Sequence, residues 1–264
     1  MIVASPRASA VRGEAWIVLA LTALLIVVSL VRPGGAAAAT GLMALVLSAI
    51  AWQRRAPAAT SLGLLLVTCL VLGLAGLGPQ QVVLALAFAV YAVVVSRVPW
   101  LRDAVRWMTV GSVDGRIMAL GVAIAGVSGV ALLAWYALAR PDLADLLRTF
   151  IPNWPLGLLG PAAIVFSVVN ATLEEAAYRG VVLAALDTAL GAGVAALLLQ
   201  AIAFAALHFQ AGFPRGWSGV GLTFVYGLAL GMLRRRAGGL MAPFITHVLT
   251  DLVIVTVVLA LARM

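Results

Sequence analysis

Residues 168–183 read VVNATLEEAAYRGVVL, with Glu174, Glu175 and Arg179 set among aliphatic residues. The rest of the chain makes that cluster conspicuous. Of its 264 residues 64% are hydrophobic and 10% charged, and the mean hydropathy is +1.16. A soluble domain carries roughly 25% charged residues, so this composition marks an integral membrane protein. The apolar runs approach the roughly 20 residues that a spanning helix needs. Strand alternation is absent, so helices rather than a barrel must satisfy the backbone in lipid.

Outward from that stretch, apolar segments fall near 15–31, 35–52, 59–77, 79–96, 116–139, 157–177, 192–210, 217–233 and 240–262. The fold class is all-α, a polytopic membrane protein of about eight or nine transmembrane helices with a C-terminal catalytic helix bundle. Trp16, Trp52, Trp135, Trp154 and Trp217 lie near segment ends, as an aromatic belt does. The N-terminal lead MIVASPRASAVRGEAW precedes an apolar run with no small-residue cleavage site, which reads as a retained first helix. Arginines and tryptophans at helical spacing in 97–116 suggest an amphipathic surface helix, with a solvated loop as the plain alternative. From Leu156 to Leu190 the chain is helix-compatible for about 35 residues, roughly 50 Å of helix against about 30 Å of hydrocarbon. Such a helix must tilt, break or run past the bilayer.

The net charge is +8 and the isoelectric point about 11.2, yet every basic residue is arginine and most sit between apolar runs. Topology rather than nucleic acid explains them. With the N-terminus inside, Arg7, Arg12, Arg54, Arg55, Arg97, Arg102, Arg106, Arg116 and Arg234–Arg236 are cytoplasmic, leaving Arg32, Arg140, Arg148, Arg215 and Arg263 outside. The lone Cys69 cannot form an intrachain disulfide. Polar residues inside spans cluster after 170, so residues 1–115 form a packing half, with the surface helix near 97–115. Residues 116–264 form the working half, whose core covers 155–262.

An ionisable side chain within a span costs about 2.5–3.5 kcal/mol on insertion scales and marks function by default. Both histidines, His208 and His247, lie in apolar runs, and Asp251 follows His247 by one turn. Residues four apart share a helix face. Glu175 can therefore pair with Arg179, leaving Glu174 free, while Phe204 can wall His208. The turn near Gly191 is 17 residues from both Glu174 and His208, so an antiparallel hairpin would set these two level. Asp187 reads as a helix-end charge reaching for water, Tyr178 as packing, and Arg234–Arg236 as an anchor beside anionic lipid. A carboxylate in a water-poor cavity is a competent general base, and imidazoles can share the water's proton or face an oxyanion. The same donor set would also suit zinc.

In order along the chain stand Glu174-Glu175-x-x-x-Arg179, Phe204-x-x-x-His208 and His247-x-x-x-Asp251. This pattern resembles the CAAX prenyl endopeptidase and bacteriocin-processing family of intramembrane proteases over residues 155–262. YGLALGMLRRRAGGLMAPFITH, ahead of the last motif, is similar to that family as well. The resemblance implies hydrolysis of a peptide bond in a membrane-associated protein or peptide substrate. It implies Glu174 and His208 as the water-activating pair, His247 and Asp251 as the oxyanion site, and Glu175, Arg179 and Phe204 as support. Asp251 stands where the prenyl endopeptidases carry asparagine. A carboxylate there stays protonated, orients His247, or helps bind a metal. The favoured mechanism requires no cofactor; the alternative is a divalent metal such as zinc on Glu174, His208, His247 and Asp251. Two other readings use the same residues: a non-catalytic scaffold or immunity protein, and a proton-coupled transporter. An inverted repeat, the mark of many transporters, is not visible. The lysine-free, alanine- and arginine-rich composition points to a prokaryotic inner membrane, and no nucleic-acid partner is expected.

Overall fold

The computed structural model describes residues 6–31, 34–141 and 155–261. Arg32, Arg148, Trp154 and Arg263, and the side chains of Arg7 and Arg12, lie outside what is described. The described residues form helices and no strands: α1 Pro6–Leu30, α2 Gly35–Gln53, α3 Pro57–Leu74, α4 Gln80–Arg97, α5 Gly115–Ala139, α6 Leu156–Glu174, α7 Leu183–Leu190, α8 Val194–Leu207, α9 Gly216–Ala237 and α10 Met241–Leu261. Between α6 and α7 the helix does not break. Glu175–Val182 continues it as a π-helix, in which hydrogen bonds reach one residue further and the turn widens. The long sixth segment is thus one helical path, with its charged cluster at the α-to-π junction.

Among the described residues eight helices are long and apolar enough to cross a membrane. The expected span over 192–210 is not among them: α8 has 14 residues and stops at Leu207. At 1.5 Å per residue that is about 21 Å, short of the hydrocarbon thickness. Gly212, at φ +77°, lies so close to His208 that a Cβ would come 2.7 Å from the imidazole. The chain leaves the helix at His208 instead of continuing it.

The N-terminal half packs directly on the charged segment. Leu21 of α1, Leu62 of α3, Tyr91 of α4 and Trp107 share one buried core with Val181, Leu186 and Phe204. Polar contacts fasten the ends. Glu14 Oε1 of α1 accepts from the Ala58 N–H at the start of α3, at 2.8 Å, which serves a donor that the first helical turn leaves unpaired. Asp187, expected to reach for water, instead meets Arg235 at 2.6 Å. Arg235 also donates to the Ala192 and Gly193 carbonyls, so one arginine of the triplet is committed to protein.

Residues 97–116 correct a second expectation. The segment holds only a short 3-10 helix, Pro99–Val105, followed by a strap paired with the α9–α10 turn. Leu240 and Met241 N–H donate to the Thr109 and Val110 carbonyls, and Ser112 N–H donates to Ala237 O at 2.7 Å. Gly111, at φ +75°, allows this approach, since a Cβ would meet Ala237 O and Gly239 N at 2.5 Å. Asp114 then caps α5, accepting from Arg116 and Ile117 N–H at 2.9 and 3.0 Å. The Ile117 hydrogen bond, foremost, and that of Ser112 hold its carboxyl below the usual range. The cap is intact above the ordinary carboxylate range and is lost as pH falls through the lowered value.

Gly180, in the π-helix, is where Trp107 of the strap region meets the charged segment. A Cβ there would lie 2.6 Å from the buried indole. Gly180→Ala is therefore expected to destabilise the protein by about 1–3 kcal/mol, read as a lowered unfolding temperature in detergent. An unchanged temperature would mean that Trp107 moves aside freely.

Candidate active site

The site forms where α6 passes into the π-helix and meets α8, α9 and α10. Arg179 and Glu175 lie one turn apart, and Arg179 Nη1 donates to Glu175 Oε1 at 2.9 Å. Arg179 is fully buried and Glu175 1% exposed, so the pair is held away from lipid and water alike. The guanidinium lies 4.2 Å from the centre of the Phe204 ring, within cation–π range. Its Nη2 reaches the Gly227 carbonyl of α9 at 3.4 Å. The internal pair expected from the spacing is present, with contacts from two neighbouring helices added.

His247 of α10 completes the arrangement. Its Nδ1 lies 2.7 Å from Glu175 Oε1. A carboxylate only accepts, so Nδ1 carries the proton and donates it. The same oxygen thus takes hydrogen bonds from Arg179 and His247. This fixes the ring so that Nε2 faces two other carboxylates, Glu174 Oε2 and Asp251 Oδ1, each at 3.6 Å. Glu174, His247 and Asp251 are all buried.

His208 stands differently. It caps α8, is less buried than the others, and its Nδ1 lies 3.4 Å from Phe204 O. Phe204 sits edge-on between the two imidazoles, 5.4 Å from His208 and 6.2 Å from His247 between ring centres. The ring wall expected on His208 is there, and it serves both histidines. Tyr178, read as packing, is buried against the same ring at 4.9 Å. No hydrogen bond or ion pair joins Glu174 to His208 among the described residues; the imidazole beside Glu174 is that of His247. Counting residues from a turn gives height along a helix but not rotation about its axis, and the π-helix alters that rotation.

Two residues outside the sequence motifs enter the network. Asn170, one turn before Glu174, donates through Nδ2 to Asp251 Oδ2 at 3.1 Å. Gln81 of α4 donates to Asn170 Oδ1 at 3.2 Å. Asn170 stands in the quoted 168–183 stretch on the Glu174 face, a signal that spacing could have used. Nothing in the sequence singles out Gln81.

Among the described residues no three His, Cys, Asp or Glu groups are placed to hold an ion, and His247 Nδ1 is already occupied by Glu175. Beside the site, across Tyr178, lies an apolar cavity of about 490 Å³ lined by Leu62, Leu66, Cys69, Leu84, Tyr178 and Leu207 among others.

Breaking a buried ion pair from one side costs about 3–5 kcal/mol, because the remaining charge has no partner. Arg179→Leu is expected to lose that much unfolding free energy in detergent. Near-native stability would show that Glu175 needs only His247.

Residues 155–253 match the family model described as Type II CAAX prenyl endopeptidase Rce1-like. No curated protein and no solved structure matches the chain.

Proposed function

On the match of residues 155–253 to the Rce1-like model of type II CAAX prenyl endopeptidases, we propose hydrolysis of a membrane-associated protein or peptide at Glu174. The observation that carries this reading is Glu174 Oε2 at 3.6 Å from His247 Nε2. The two groups can share one water, and His247 is itself held by Glu175. Glu174 takes a proton as the water oxygen bonds to the scissile carbonyl carbon. As the tetrahedral intermediate collapses, the carbon–nitrogen bond breaks and Glu174 returns that proton to the leaving amine. Asp251 orients His247 from the far side of Nε2. His208, the more open imidazole, faces the carbonyl oxygen as charge develops there. The adjacent apolar cavity suits an apolar portion of the substrate. Every step runs through these side chains and water, the metal-free version of the chemistry.

The lysine-free, alanine- and arginine-rich composition supports a place in a prokaryotic inner membrane, and the arginine distribution supports an inside N-terminus. A scaffold or a proton relay would use the same buried charges without cleaving anything, so the acid itself decides between the readings. Glu174→Ala in the full chain, reconstituted in lipid with a membrane-tethered reporter, is expected to abolish cleavage while the protein stays folded. Undiminished cleavage would remove Glu174 as the base. Dialysis of the wild type against a strong chelator is expected to leave the rate unchanged, whereas loss restored by added zinc would bring the metal alternative back.

A further inference from the structure

We propose that Asn170 is a positioning residue of the hydrolytic site, acting through Asp251 and itself anchored by Gln81 of the N-terminal half. This rests on the reading of Glu174 and His247 as hydrolytic. It assigns work to two residues that lie outside the three motifs.

An ionised carboxylate only accepts hydrogen bonds, whereas a carboxamide has a donating and an accepting end. Asp251 Oδ2 therefore requires the NH2 end of Asn170, found at 3.1 Å. That choice turns the Asn170 carbonyl the other way, and a carbonyl requires a donor. Gln81 Nε2 supplies it at 3.2 Å. With Oδ2 tied down, the other Asp251 oxygen, Oδ1, is the one 3.6 Å from His247 Nε2. The hydrogen-bonded chain Gln81–Asn170–Asp251 has one internally consistent direction, and flipping either amide would oppose two acceptors.

The cost of this arrangement argues against a passive role. Asn170 is 8% exposed within a helix long and apolar enough to span the bilayer. A buried carboxamide without partners is unfavourable in such surroundings, and an aliphatic residue there would pack without that penalty. Asparagine also ranks low among helix formers. Gln81 lies in the first turn of α4, so the contact ties the otherwise apolar first half to the reacting groups. Asp251 without Asn170 would have an oxygen free to rotate, and His247 would lose a fixed partner on the side facing Glu174.

The test uses the full-length protein in lipid with the membrane-tethered reporter. A lost hydrogen bond to a charged group corresponds to roughly a 10- to 100-fold effect, so Asn170→Ala is expected to lower kcat by about tenfold or more with KM unchanged. Gln81→Ala, at a half-buried position, is expected to lower kcat less, by about two- to fivefold, as the outer link of a coupled pair. In the Asn170→Ala background, Gln81→Ala is expected to have no further effect. Asn170→Asp, which sets a second carboxylate against Asp251, is expected to be worse than alanine. A kcat for Asn170→Ala within about twofold of wild type, or a Gln81→Ala effect equally large in both backgrounds, would overturn the proposal. If Asn170→Ala fails to accumulate folded, Gln81→Ala decides alone, and a wild-type kcat there would overturn it. Failure of the hydrolytic reading itself looks different: the wild type would not cleave, or Glu174→Ala would still do so.

Discussion

A single carboxylate oxygen, Glu175 Oε1, accepts from Arg179 at 2.9 Å and from His247 at 2.7 Å in surroundings sealed from solvent. Everything else at the site is arranged around that shared acceptor. Separately, each of these three groups would be costly to hold within a span. Together they offset one another, and each fixes the others' orientation. Arg179 also lies over Phe204 and reaches the α9 backbone, so the ion pair couples α6, α8, α9 and α10. The consequence for chemistry is directional: with Nδ1 engaged, Nε2 has one way to point, toward Glu174 and Asp251.

Packing makes that arrangement rigid. Gly227 lets α9 lie against Phe204, since a Cβ would approach the ring to 2.9 Å. The strap at 109–112 holds the start of α10 by backbone hydrogen bonds, one and a half to two turns before His247. These contacts belong to connecting segments and close helix approaches. In lipid, where apolar burial between helices gives little driving force, such close contacts and interhelical hydrogen bonds carry the association.

How much of this the sequence discloses depends on the kind of signal. Glu174, Glu175, Arg179, His208, His247 and Asp251 stand out because charge is rare in an apolar chain, and the Glu175–Arg179 pairing follows from four-residue spacing alone. The eight long helices are equally legible from their apolar runs. The shortness of α8 is less so, because the helix ends at Leu207 inside a run that is still apolar. The strap is invisible in side-chain pattern, since backbone groups make most of its bonds. The partner of Glu174 is hidden for a geometric reason: linear spacing carries no information about rotation through a π-helix. Asn170 and Gln81 are uncharged amides 89 positions apart, joined only once the helices pack.

The most direct measurement of the shared acceptor uses the fact that the chain has only two histidines. Solid-state NMR of the full chain in lipid, with ¹⁵N-labelled histidine and ¹³C-labelled glutamate, resolves both imidazoles. The expected result is a protonated His247 Nδ1 showing through-space transfer to the Glu175 carboxyl carbon, with that contact weakened in Arg179→Leu. A His247 Nδ1 without a proton, or without transfer to any glutamate carboxyl, would contradict the arrangement from which the rest is built.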